Sequence, residues 1–225
     1  MRKLHEKDFK MENYEEFYTD HFFQPMIDSE AINAHRHLPR VAWALDVAKE
    51  VKPKKVLDLG CLEGFAVLTI ANHLDIDLGI GIDLSTDGIE LANSRKDSVK
   101  SKVEFHVGSI EDFLEKTEEK FDFIMMFEVI EHVKDPDYLL ELIKKVKTPD
   151  GQLLISTPSF ESPSFGMDDE ANKCHIRLYT TADNTYSAVN KYGNTRTGTS
   201  MKDQLKDFEI IEMGVYSHLI NVRAV

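Results

Sequence analysis

The chain is poor in cysteine. Its two, Cys61 and Cys174, lie far apart and outside any CxxC spacing, so neither a disulfide framework nor a zinc site is indicated. Two free thiols suit a reducing compartment. Long apolar runs are missing too: nothing approaches the roughly 20 residues of a membrane span. The opening MRKLHEKDFKMENYEEFYTD carries charges throughout and lacks the apolar stretch of a signal peptide. A cytoplasmic protein with no membrane span is the expectation. Basic residues are in deficit, 27 against 40 acidic, for a formal charge of -13. Such a surface repels phosphate backbones unless a local basic groove compensates, which disfavours nucleic acid as a partner.

The remaining composition is globular. With 225 residues, 42% of them hydrophobic, the chain can bury a large core without a crosslink or a structural metal. Residues 11–23 place Tyr14, Phe17, Tyr18 and Phe22 at helical spacing with acids on the other faces, as a helix packed on its own domain or a lid over a cleft. A second helix is expected from about Ser29 to Glu50. His35, Arg36, His37 and Arg40 cluster near its start, mostly on a solvated face, with one or two able to face a cleft. Residues 1–50 are thus read as an N-terminal helical cap, and 51–225 as the main domain.

From Lys55 the pattern alternates. Strands are expected at 56–59, 78–83, 103–107, 121–127 and 152–156. Helices are expected at 66–74, 86–94 and 136–146, and a turn at Pro149-Asp150-Gly151 opens the fifth strand. Strands this apolar, separated by helices, imply a parallel sheet covered on both faces. Two further strands, 208–213 and 217–225 with a turn around Gly214, add an antiparallel hairpin. The polar stretch 158–206 is too long for an ordinary connection and is read as a substrate-side insertion.

Val56-Leu57-Asp58-Leu59-Gly60-Cys61-Leu62-Glu63-Gly64 leads from strand to helix through a glycine turn, at the carboxyl end of the first strand, where open parallel sheets bind ligands. Asp83 ends the second strand 23 residues after Gly60, where an acid can accept both hydroxyls of an adenosine ribose. Its competing role, helix N-cap, falls better to Ser85 and Thr86. The turn is not GxGxxG, which counts against a dehydrogenase. In Phe127-Glu128-Val129-Ile130-Glu131-His132-Val133-Lys134-Asp135-Pro136, Glu128, Glu131 and His132 stand at i, i+3 and i+4, so one helical turn projects all three to one side. Two carboxylates and an imidazole suit a Mg²⁺, Mn²⁺ or Zn²⁺ half-site, or a general-base cluster.

From Lys54 to Ser156 these motifs resemble, in order, the class I S-adenosylmethionine-dependent methyltransferases. The resemblance implies a Rossmann-like α/β fold: a seven-stranded, mostly parallel sheet with an antiparallel C-terminal hairpin and helices on both faces. It also implies S-adenosylmethionine as cofactor. Asp58, Gly60, Cys61 and Gly64 would hold its methionine part, Asp83 its ribose, and Ser109 and Ile110 its adenine edge, with Leu84 and Phe127 completing the pocket. Leu62 stands where many relatives have glycine, and Ser109 where Asp is more frequent; both weaken the expected hold on the cofactor.

The Glu-x-x-Glu-His pattern is similar to that of two groups. One is the ubiquinone-biosynthesis O-methyltransferases and their small-molecule relatives. The other is the small-RNA 3′-terminal 2′-O-methyltransferases, in which the motif and a later histidine bind a divalent metal. His175, in Cys174-His175-Ile176-Arg177-Leu178-Tyr179-Thr180, is placed as such a histidine. The implied metal set is Glu128, Glu131, His132 and His175, for Mg²⁺ or Mn²⁺. The implied catalytic set is Glu131, His132 and His175, with a histidine as base and Glu131 orienting it where no metal is used. The expected reaction is O-methylation of a small-molecule hydroxyl, a phenol, catechol or sugar, by a monomer or homodimer. A metal-dependent RNA 2′-O-methyltransferase is the first alternative, with only Lys173, Arg177, Lys191, Arg196 and Lys202 in the late loop to meet phosphates. A non-catalytic cofactor-binding regulatory module is the second.

Overall fold

A computed structural model describes residues 39–162, 175–216 and 219–225. The helix expected at 11–23, and the start of the one expected from Ser29, lie outside the described residues. Labels below run over the described part.

Helix α1, Pro39–Val51, ends where Lys52 takes a left-handed φ of 53° and returns its N–H to the Ala48 carbonyl; Pro53 then bars continuation. The alternation follows: β1 Lys55–Leu59, α2 Phe65–His73, β2 Leu78–Asp83, α3 Thr86–Arg95, β3 Val103–Val107, α4 Ile110–Lys116, β4 Phe121–Phe127, α5 Pro136–Val146 and β5 Lys147–Pro158. Helix starts are written in the sequence. Ser85, Ser109 and Asp135 each accept the backbone N–H three residues on, and Pro136 fills the first position of α5.

These strands and the final pair, β9 Ile210–Tyr216 and β10 Leu219–Ala224, form one sheet in the order β3-β2-β1-β4-β5-β10-β9. All neighbouring pairs from β3 to β5 are parallel, while β10 runs antiparallel to both β5 and β9. Alternate side chains of one strand enter two different cores. Phe123 and Met125 join Val41, Val67, Ile70 and Ile89 on the α1–α3 face. Ile124 and Met126 join Leu139, Ile143, Leu153 and Val222 on the other. A strand buried on both faces must be apolar throughout, which is why β4 reads as one unbroken run.

Two local expectations are corrected. The fifth strand begins at Lys147, not after a turn. Its pairing jumps from Phe121↔Lys147 to Phe123↔Gln152, so Thr148 to Gly151 form an extra loop within the strand. The Lys147 ammonium donates to the carbonyls of Thr148, Pro149 and Gly151, satisfying the backbone there. Gly214 is not the hairpin turn but a residue of β9 opposite Asn221; the connection falls at residues 217–218, outside the described set. Within the polar stretch 158–206 there is regular structure: β6 Leu178–Thr180, β7 Tyr186–Val189 and β8 Thr195–Ser200 form a small sheet, β6-β8-β7, followed by the short helix α6, Met201–Gln204. Among the described residues no helix is long and apolar enough to cross a membrane.

The chain runs outward from β1 to β3 and then crosses back to β4. The reversal opens a crevice at the carboxyl ends of β1 and β4, and the glycine turn and the Glu-x-x-Glu-His segment meet there. A Cβ on Gly60 would lie 2.3 Å from Val129 Cγ2.

Candidate active site

After β1 the chain doubles back over β2. The Gly60 and Cys61 N–H groups both donate to the Ile82 carbonyl, at 2.9 and 3.0 Å. Gly60, Leu62 and Gly64 all take left-handed φ values, 77°, 49° and 71°. Leu62 thus adopts the conformation a glycine would take without strain. Asp83 holds this turn: its Oδ2 accepts from the Leu62 N–H and its Oδ1 from the Ser85 N–H, each at 2.8 Å. A carboxylate offers about four acceptor sites, so roughly two remain for a pair of hydroxyls. Ser85, not Asp83, caps α3.

Asp58 is buried beneath the turn. Burial and the charge of Asp83 push its carboxyl up to about 7, against opposing pulls from Arg40 and the Val67 N–H. Burial also raises Asp83 and the Cys61 thiol. Leu84 is half-buried between β2 and α3. The Ser109 hydroxyl caps α4, accepting from the Asp112 N–H at 3.2 Å and donating to Glu111 at 3.1 Å, while Ile110 packs against the core. Phe127 is buried against Trp43, with ring centroids 6.4 Å apart.

Beyond β4 the expected helical turn is different in kind. Glu128 takes a left-handed φ of 56° and is bound to β5 twice: its N–H donates to the Ser156 carbonyl (2.9 Å) and its Oε1 accepts from the Ser156 hydroxyl (2.7 Å). Only then does a 3-10 turn, Ile130–His132, begin. The i, i+3, i+4 arithmetic therefore does not hold, because it needs one continuous α-turn. Glu131, His132 and His175 do come together, with one ligand atom from each lying within 4.8 Å of the others. Glu128 stays outside that group, although its charge acts on Glu131.

Glu131 is 1% exposed. Its Oε2 accepts from the Thr157 hydroxyl at 2.9 Å; among the described residues its Oε1 has no hydrogen-bond partner, and it lies 3.8 Å from His132 Nε2. That separation is too long for a hydrogen bond. It suits two ligands of one ion, since donors bind at roughly 2.0–2.2 Å from the metal. Burial and Glu128 hold the Glu131 carboxyl well above the usual range. The His132 and His175 rings are 4.9 Å apart, and burial lowers His175 to about 4, leaving a neutral imidazole at physiological pH, the form that ligates a metal or takes a proton. The donor set therefore fits a divalent cation, with three protein ligands instead of the four expected.

Sequence reasoning undervalued two features. Arg40, the described member of a four-residue basic cluster, places its charge on Asp58, Glu128 and Glu131. His35 to His37 lie outside the described residues. Ser156 and Thr157, at the end of β5, supply the hydroxyls that orient both glutamates; their signal was two adjacent hydroxyl residues ending an apolar strand.

A family model described as a methyltransferase domain matches residues 50–208. Among curated relatives, the ubiquinone biosynthesis O-methyltransferase of Actinobacillus pleuropneumoniae is 35% identical over 108 residues, 46% of this chain and 45% of that one. A mitochondrial enzyme of that name from Candida albicans is 39% identical over 106 residues, 45% of this chain and 32% of that one. The matched region thus spans less than half of these relatives. Solved structures share the fold. A SAM-dependent methyltransferase from Aquifex aeolicus has a TM-score of 0.60 at 18% identity, covering 89% of this chain and 95% of that one. The N-methyltransferase NodS from Bradyrhizobium japonicum has 0.58 at 17%, covering 82% and 93%. The chain belongs to the methyltransferase domain family, the S-adenosylmethionine-dependent class that its motifs resemble.

Proposed function

We propose that the chain transfers the methyl group of S-adenosylmethionine to a hydroxyl of a small molecule, a phenol, catechol or sugar, with a divalent cation, Mg²⁺ or Mn²⁺, held by Glu131, His132 and His175. The observation that carries this reading is the convergence of those three side chains at the crevice beside the glycine turn. The naming of curated relatives as O-methyltransferases supports it.

Methyl transfer is an in-line displacement, so most of what a protein contributes is alignment and the handling of one proton. When bound, the cofactor supplies an electrophilic methyl group on a sulfonium. When bound, the cation lowers the pKa of a hydroxyl in its coordination sphere. Asp83 accepts the ribose hydroxyls with its remaining lone pairs while still holding the Leu62 and Ser85 N–H groups. Thr157 fixes the rotamer of Glu131 by bonding one oxygen, which leaves the other for the cation. Glu128, held on Ser156, adds negative charge beside the site. Without a cation, His132 or His175 takes the hydroxyl proton and Glu131 orients the imidazole. Acceptor recognition falls to residues 1–50 and the 158–206 insertion, which flank the crevice in sequence.

Calorimetric titration of Mn²⁺ into protein saturated with S-adenosylhomocysteine tests this reading, with Glu131→Gln as control. Stoichiometric binding, abolished in the variant, is the expected result. No binding to the wild type removes the metal, and His132→Ala and His175→Ala then test the two histidines as bases. Tight binding of a short RNA at low salt with a steep salt dependence would instead move the acceptor to a terminal ribose.

A further inference from the structure

His175 reaches the site from outside the main sheet. It stands just before β6, a strand of three residues, so its placement relative to Glu131 and His132 must be enforced by contacts other than the sheet. Four hydrogen bonds provide them. The N–H groups of Ile176 and Arg177 both donate to the carbonyl of Glu131, at 2.9 and 3.2 Å. The Arg177 guanidinium donates through Nη1 to the Val133 carbonyl at 2.9 Å and through Nη2 to the Lys134 carbonyl at 3.3 Å. Every acceptor belongs to the turn that carries Glu131 and His132 or to the two residues after it. The main-chain and side-chain halves of the contact therefore grip the same short segment.

We propose that Arg177 is the positioning residue of this site, a strap that holds His175 against Glu131 and His132. The inference rests on the metal-assisted reading for its purpose, but not for its geometry. A planar fork with two N–H donors spans adjacent carbonyls, whereas a lysine ammonium on a flexible stem is a single point of attachment. Arg177 touches none of the three ligand atoms in these contacts, so its effect passes through His175. The same bonds redefine a residue that sequence reading counted among possible phosphate contacts: its guanidinium holds two main-chain carbonyls and also meets the Tyr179 hydroxyl.

The test uses the full chain, with Arg177→Ala and Arg177→Lys compared to wild type in three readouts. These are Mn²⁺ affinity in the presence of S-adenosylhomocysteine, S-adenosylhomocysteine affinity itself, and amide hydrogen exchange at Ile176. Loss of an orienting contact around a metal site typically costs about 10- to 100-fold in metal affinity. Arg177→Ala is expected to lose that much Mn²⁺ affinity, to exchange the Ile176 amide about tenfold faster, and to bind S-adenosylhomocysteine as the wild type does. Arg177→Lys should fall between the two. Unchanged Mn²⁺ affinity with unchanged exchange overturns the strap. If the wild type binds no Mn²⁺, the metal-assisted reading fails, and exchange at Ile176 decides the strap on its own: faster upholds it, unchanged rejects it. If Arg177→Ala loses S-adenosylhomocysteine binding, the lysine variant is judged by the same criteria.

Discussion

Replacing Asp58 with asparagine should flatten the pH dependence of this chain's stability. The carboxyl is fully enclosed beneath the glycine turn, beside Asp83, and titrates near 7 in the fold against 3.8 for the ordinary side chain. Between those values the folded chain holds a proton that the unfolded chain has released. The stabilisation is complete below about pH 4 and is lost as pH rises through 7. Each unit in that window is worth about 1.4 kcal/mol, so wild type should lose roughly 2–3 kcal/mol from Asp58 alone between pH 5 and pH 8. Asp83, Glu128 and Glu131 are shifted in the same direction and add to the slope. Asparagine keeps the shape and an acceptor for the Val67 N–H but cannot ionise. Urea unfolding of the ligand-free protein, repeated from pH 5 to pH 8, measures the effect. The variant's stability relative to wild type should rise by roughly 2–3 kcal/mol between pH 5 and pH 8, since the asparagine neither takes up nor releases the proton that sets the wild-type slope. Parallel stability profiles for the two proteins would refute the assignment of an enclosed, hard-to-ionise acid.

Arg40→Gln removes the guanidinium that acts on Asp58, Glu128 and Glu131. In the same unfolding series it should cost roughly 1 kcal/mol at pH 8 and little at pH 5, where those acids carry less charge; an equal cost at both pH values would assign Arg40 a packing role only. Gly64→Ala combines a left-handed φ of 71° with a Cβ placed 2.4 Å from the Phe105 ring and 3.0 Å from Ala92 Cβ. It should destabilise the fold by about 2–4 kcal/mol, read from the urea midpoint, and a loss under about 1 kcal/mol would mean that the turn relaxes freely. S-adenosylmethionine carries one more positive charge than S-adenosylhomocysteine. Near pH 7 its binding should release more protons, measured by calorimetry in buffers of different ionisation enthalpy, and equal release for the two would place the sulfonium away from Asp58.

The sequence made some elements plain and hid others for a physical reason. Strand β4 and helix α5 were legible to the residue. An apolar run buried on both faces needs no partner to be recognised, and Asp135-Pro136 marks a helix start by local chemistry. The start of β5 was not legible, because Lys147 pairs with Phe121 ahead of the loop that Pro149-Asp150-Gly151 signals, and neither was the hairpin turn, because Gly214 carries a turn signal that pairing with Asn221 overrides. Register with β4 and β10 decides there, and register is not local. The site divides in the same way. Glu131, His132 and His175 could be named from residue type and family resemblance. That Glu128 stands apart from these three goes with a left-handed backbone at a glutamate, a conformation that nothing in its own side chain favours. Arg40 was visible as charge, but whether it faces inward depends on helix phase and on what the helix packs against.

Charge links these observations to the proposed chemistry. Four acids, Asp58, Asp83, Glu128 and Glu131, meet at the crevice; all four are held above their ordinary range, with burial the leading cause. Among the described residues, the cation that opposes these shifts is Arg40, which acts on three of the four. A fold selected only for stability would place apolar side chains there, since unpaired buried acids are costly. Concentrating them makes sense if the ligands bring the missing positive charge, and a sulfonium cofactor and a divalent cation both do so. On this view a cationic ligand favours the ionised form of Asp58, whose carboxyl burial and Asp83 push up to about 7. The same arrangement that weakens the empty protein above neutral pH favours cationic occupants over neutral ones, which ties the affinity for cofactor and cation to the ionisation of the four acids.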